Sequence, residues 1–268
     1  MTRHAQGSGI PPLHTWKRAE LSLAGVLLLL AVGAWLLTGS MAMPGMRMGI
    51  LTGTGSTSMS AADPVAFVLF LVTWVVMMAA MMLPAIIPFT VGVSRLMGAR
   101  PDAHGTLPSL TAGYLLVWSA VGVLAYFVVR GFDALGAGGT ANGVRAGAVV
   151  LLVAGAYQFS PLKQWCLVRC RSPFALVLRY GSRAARSRRS AVAVGVNHGG
   201  YCLGCCWALM LVLLAAGVMS LAWMAAIAAV ITVEKVAPGG KVISYALGAV
   251  LIGLGATLLA APGVVSAM

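Results

Sequence analysis

Charged side chains are scarce in this sequence, and acidic ones are nearly absent: Asp and Glu together number five in 268 residues. Charged residues make up 9% of the chain, against about a quarter in an ordinary soluble domain. A soluble globule cannot cover a 60% hydrophobic composition with so little polar surface, whereas a bilayer accepts it. Also missing is a Walker-type phosphate loop, so ATP hydrolysis within this chain is not expected. The sequence offers no Ser-His-Asp set and no paired carboxylates for hydrolysis, so an enzyme is not the first expectation. A ladder of acidic residues through the apolar runs, the usual mark of an ion pump, is lacking too.

What is there in quantity is apolar sequence, with a mean hydropathy of +0.95. Runs of spanning length, or nearly so, lie at 19–38, 65–93, 108–129, 144–159, 199–218, 219–234 and 243–261. They predict an all-α, polytopic transmembrane helical bundle of about seven spans, a single integral membrane domain over residues 1–268. The first run is longer than a signal-peptide core and is read as a retained span. Pro84 and Pro88 fall inside the second run and predict a kink there. The fifth and sixth runs meet at Gly217–Ser220 without an intervening charge, which predicts a tight helical hairpin.

The net charge of +13 comes from Lys and Arg placed between these runs. It is read as topology and contact with anionic headgroups rather than nucleic-acid binding. With the N-terminus inside, fifteen of the eighteen Lys and Arg residues fall on the inner side. That asymmetry predicts N-terminus in, C-terminus out. The segment from Phe174 to Arg189 has the composition of a basic amphipathic helix on the inner leaflet.

Five cysteines form two groups, Cys166 with Cys170, and Cys202 with Cys205 and Cys206. In the predicted topology both groups meet at the cytoplasmic side, where disulfides are disfavoured and thiol ligands favoured. At about 100° per residue, His198, Cys202, Cys205 and Cys206 share an arc of roughly 100° on one helix face. Cys166 and Cys170, four apart, share a face as well if their segment is helical. Soft thiolates suit Cu(I) and Zn(II), and mixed thiolate and imidazole sets suit Zn(II) best. The competing reading is that these are small apolar residues used for packing.

Glu234 ends the sixth run close to this cluster and is a weaker candidate as a ligand, a partner of a ligand or a proton carrier. Its bland alternative is an interface pair with Lys235. Met41, Met43, Met46 and Met48 in the first external loop are weaker candidates for capturing Cu(I) through thioethers, which discriminate against zinc. Met77 and Met81, with Met78 and Met82, form pairs four apart before Pro84; packing around the kink is the favoured reading, a copper path the other.

Four stretches carry a family resemblance: WVVMMAAMMLP (74–84), YQFSPLKQWCLVRCRSP (157–173), HGGYCLGCCWALM (198–210) and GVMSLAWM with Glu234-Lys235 (217–235). The chain resembles a bacterial family of predicted metal-binding integral membrane proteins. That resemblance implies a multi-pass protein of the bacterial inner (plasma) membrane. The functional expectation is metal handling, with copper(I) ahead of zinc, in a chaperone, accessory or transport role. The expected partners are the bilayer and a metal-receiving protein or membrane complex, with neither nucleic acid nor ATP. Two alternatives stay open: a membrane thiol oxidoreductase or metal-dependent membrane enzyme using the same cysteines, with Cys202 and Cys205 as the dithiol, and a structural membrane subunit.

Overall fold

Each of the seven apolar runs overlaps a helix of its own in the computed structural model, which describes residues 18–41, 48–49, 53–54, 64–97, 103–134, 141–171, 187–217, 220–237 and 239–261. We label the helices α1 (Arg18–Met41), α2 (Pro64–Met97), α3 (Ala103–Ala134), α4 (Ala141–Gln158), α5 (Pro161–Arg171), α6 (Arg188–Ala216), α7 (Leu221–Val236) and α8 (Gly240–Ala260). Met48–Gly49 and Gly53–Thr54 add a two-residue antiparallel ribbon. Helix α5 is the element that the hydropathy runs did not announce. The proposed amphipathic helix at 174–189 lies outside the described residues except for its last part, where Arg188 and Arg189 open α6.

Local sequence explains the boundaries. Ser160 accepts a hydrogen bond from the Lys163 amide at 3.1 Å, and Pro161 takes the first helical position, where its missing N–H costs nothing. This cap restarts the chain as α5 at 67° to α4. At the hairpin, Gly217 ends α6 with φ 124°, a conformation open to glycine, and its amide reaches the Leu213 carbonyl. Ser220 then caps α7 by accepting from the Trp223 amide. Inside α2, Pro84 has no N–H for the Ala80 carbonyl; the Trp35 indole of α1 donates to that carbonyl instead, at 3.1 Å. A two-toothed ion pair from Arg95 to Glu20, at 2.9 and 2.8 Å, ties the far end of α2 to the start of α1.

Helix α6 is the hub. It packs against α3, α4, α5 and α7, while α8 lies along α4 and α1 along α2. Glycines let these helices approach closely. A Cβ on Gly195 would sit 2.0 Å from the Leu110 carbonyl oxygen, and one on Gly113 2.2 Å from that of Val192. The α3–α6 crossing is therefore backbone against backbone, as small residues permit in membrane helices.

Five helices are individually long and apolar enough to cross a membrane, and the bent pair α4–α5 makes a sixth. Their outer faces are greasy: Leu29 and Leu36 of α1 and Val242 of α8 are about 70% exposed. Such a surface is compatible with a lipid environment. The seven-span expectation differs at α7, whose 16 residues reach about 24 Å, short of the roughly 30 Å hydrocarbon core. Helix α6 ends at Ala216 and α7 begins at Leu221, so residues that the runs had assigned to spans fall between the two helices. The fifth run is also longer than expected, because α6 already begins at Arg188; polar Asn197 and His198 had concealed the apolar stretch before them.

The glycine crossing is testable. Gly195→Val should cost about 1–3 kcal/mol through overpacking, seen as a lower melting midpoint of the detergent-solubilised protein. Gly253→Val, where a new Cβ meets nothing within 4 Å, should melt with wild type. Equal melting of the two variants would contradict the α3–α6 crossing.

Candidate metal centre

One helix face supplies three thiols. Residues three and four apart on a helix are neighbours, and the sulfurs of Cys202, Cys205 and Cys206 on α6 all lie within 4.8 Å of one another. All three residues are buried. The Sγ atoms of Cys205 and Cys206 both turn to the Cys202 carbonyl oxygen, at 3.1 and 3.0 Å. These are weak bonds that a metal replaces at little cost. The cluster lies midway along α6 rather than at a span's start, as the sequence had placed it, because the helix begins earlier.

Two further groups reach the Cys202 sulfur. The Lys235 amine of α7 lies 3.0 Å away, and the Tyr114 hydroxyl of α3 shares a hydrogen bond with it, also at 3.0 Å. The ammonium places one positive charge beside a set of ligands that are anionic when they bind metal. This corrects the sequence pairing of Lys235 with Glu234: neighbours in sequence, the two side chains go to different partners.

The second cysteine group does meet the first. Cys205 donates to the Cys170 sulfur at 3.7 Å, and Cys170 is partly exposed. Cys166 is buried against Gly204, where an added Cβ would stand 2.6 Å from its sulfur. The Tyr157 hydroxyl donates to the Gly204 carbonyl at 2.6 Å, fastening α4 to the same turn. His198 is buried and stacked on Phe89 of α2, with ring centroids 4.3 Å apart. Its Nδ1 has no hydrogen-bond partner among the described residues, one helical turn before Cys202. His198, Cys166 and Glu234 are not in the group of three whose ligand atoms all lie within 4.8 Å.

Glu234 has a different engagement. Both its carboxylate oxygens accept from the Lys163 amine, at 3.0 and 2.9 Å, with the two side chains 2% and 1% exposed. The same amine donates to Gln158, and Ser244 of α8 donates to Gln158. Lys163 had been counted among the inner-surface cations; the structure buries it. Of the methionines, Met77, Met78, Met81 and Met82 are buried in the helical core. Met43 and Met46 lie outside the described residues, and for Met41 and Met48 only the backbone is described.

A family model described as PpoB2, copper chaperone, matches residues 71–258, more than two thirds of the chain. The chain belongs to this copper chaperone family. Comparison with curated proteins and with solved structures gave no match. The matched stretch holds all five cysteines and leaves out α1. Family and donor set agree: clustered thiols in an apolar setting are the soft ligands that copper takes, so this copper chaperone family member has a copper-handling, metal-binding role.

Tyr114, Lys163, Lys235 and Gln158 were missed as site residues. For Lys163 a signal existed. A carboxylate in an apolar run calls for a buried cation, and Lys163 lies three residues before Cys166. Tyr114 had none, because its meeting with Cys202 depends on how closely α3 crosses α6.

The buried pair yields an asymmetric expectation. Lys163→Met alone leaves an uncompensated carboxylate and should cost about 3–5 kcal/mol, measured as lost thermal stability in detergent. Lys163→Met/Glu234→Met should recover much of that loss. A double variant no more stable than the single would contradict the pairing.

Proposed function

We propose that this protein is an integral membrane copper chaperone that holds Cu(I) on the sulfurs of Cys202, Cys205 and Cys206 and passes it to a protein partner. The observation that carries the reading is the thiol triad, three buried sulfurs within 4.8 Å of one another on a single helix. Thiolate sulfur is soft and favours the monovalent ion. A site of three sulfurs exchanges its cargo with an incoming thiolate one bond at a time, which suits delivery rather than storage. The Lys235 amine, 3.0 Å from Cys202, offsets part of the negative charge that three thiolates bring to a monovalent ion.

The site faces the cytoplasmic side of the inner membrane in this reading, supported by the seven arginines from Arg169 to Arg189 that join the end of α5 to the start of α6. The reducing cytoplasm keeps the thiols free. His198, whose Nδ1 has no hydrogen-bond partner among the described residues, is a reserve donor a turn away; if it closes a four-ligand set, zinc becomes the better cargo. Copper leads because of the family. Met77 and Met81 act here as core packing around Pro84.

Purified protein loaded anaerobically with Cu(I), washed and measured by elemental analysis tests this. Wild type should retain about one copper per chain, as a single thiolate site demands, and Cys202→Ser/Cys206→Ser should lose nearly all of it while keeping the wild-type elution profile. Equal retention by both proteins, or zinc held in preference to copper, would contradict the reading.

A further inference from the structure

We propose that Cys170 and Cys205 are a reversible disulfide pair, and that forming the bond withdraws Cys205 from the triad and closes the site to copper. The disulfide itself rests on geometry alone; its effect on copper rests on the reading just given.

Cys205 links the two cysteine groups, and Cys202 also hydrogen-bonds to Cys170. It belongs to the triad, and its sulfur is 3.7 Å from that of Cys170 on a separate helix. The dithiol read from sequence was Cys202 with Cys205, but both sit on α6. Cys170 brings a second element to the cluster and lies in the last turn of the short helix α5. That helix is held down on α6 near this point. The Arg169 guanidinium lies 3.4 Å from the centre of the Trp165 ring and 5.5 Å from that of Tyr201 on α6, and the two rings meet edge to face at 5.5 Å. Cys170 is also the one cysteine of the five that is not buried. A dissolved oxidant therefore meets Cys170 first, and Cys205 stands behind it as the resolving thiol.

The chemistry closes with a hydroperoxide as oxidant. The Cys170 thiolate attacks one peroxide oxygen and the O–O bond breaks. Cys170 becomes a sulfenic acid and the other oxygen leaves as water or an alcohol after taking up a proton. The Cys205 sulfur then attacks the Cys170 sulfur, the S–O bond breaks, and the hydroxide leaves as water with the Cys205 proton. Two electrons pass from the sulfurs to the peroxide. A small cytoplasmic thiol restores the pair by exchange. In the oxidised state the triad keeps only Cys202 and Cys206.

The test uses metal-free, full-length wild-type protein in detergent, treated with hydrogen peroxide, blocked with a maleimide, digested and mapped without reduction. The expected product joins the Cys170 and Cys205 peptides, is released by a dithiol reductant, forms equally in Cys166→Ser and is absent from Cys170→Ser. A dominant Cys202–Cys205 link, or Cys170 carried on to the sulfinic acid with no link, would overturn the proposal. In a second arm, competition with a Cu(I) chelator should show wild-type affinity falling roughly tenfold or more on oxidation and returning on reduction. Cys170→Ser should show no change with peroxide. If the link forms but leaves copper affinity unchanged, closure of the site is wrong. If reduced protein binds no copper although the link forms, the copper reading fails and the disulfide stands.

Discussion

The buried pair of Lys163 and Glu234 is the constraint around which this bundle is arranged. Each charge alone in such an interior would cost several kcal/mol. Together, with Gln158 and Ser244 supplying further hydrogen bonds, they are mutually satisfied. The pair joins the start of α5 to the end of α7. Lys163 stands one turn before Cys166 and two before Cys170, and Glu234 stands next to Lys235. A single ion pair thus sets where the second cysteine group approaches α6 and where an ammonium reaches Cys202. The bend between α4 and α5 has the same consequence: Ser160 and Pro161 turn the chain so that Lys163 points into the bundle and not along the path of α4.

Helix α6 receives what these neighbours bring. Glycine makes the approach possible on two sides. Gly195 lets α3 come close enough for Tyr114 to reach Cys202, and Gly204 leaves room for Cys166. The thiols are consequently held in a dry, well-packed setting, with a phenol and an amine as the polar company of one sulfur. Such a setting keeps water from a soft ion and leaves sulfur as its most abundant soft donor.

Much of this was legible in the sequence, and the failures are instructive. Hydropathy located every long helix because the bilayer demands continuous apolar length. It overextended the sixth run, since composition cannot show that the helix starts only at Leu221, behind the Ser220 cap. The spacing of Cys202, Cys205 and Cys206 gave a shared helix face, and the structure brings their sulfurs together. His198 lies on that face but stacks on Phe89, a contact that depends on where α2 passes. Lys163 read as a surface cation because charge in a basic loop normally is one. Its burial follows from the Ser160-Pro161 cap, a local signal present in the sequence, together with a long-range partner 71 residues away that no local pattern reveals.

The central claim is that copper sits on the sulfurs of the α6 triad. X-ray absorption at the copper K-edge, on wild-type protein loaded anaerobically with Cu(I), tests it most directly. The account predicts the edge shape of monovalent copper and a first shell of sulfur alone. A shell of nitrogen and oxygen, or a sulfur shell that survives unchanged when all three triad cysteines are replaced by serine, would contradict it.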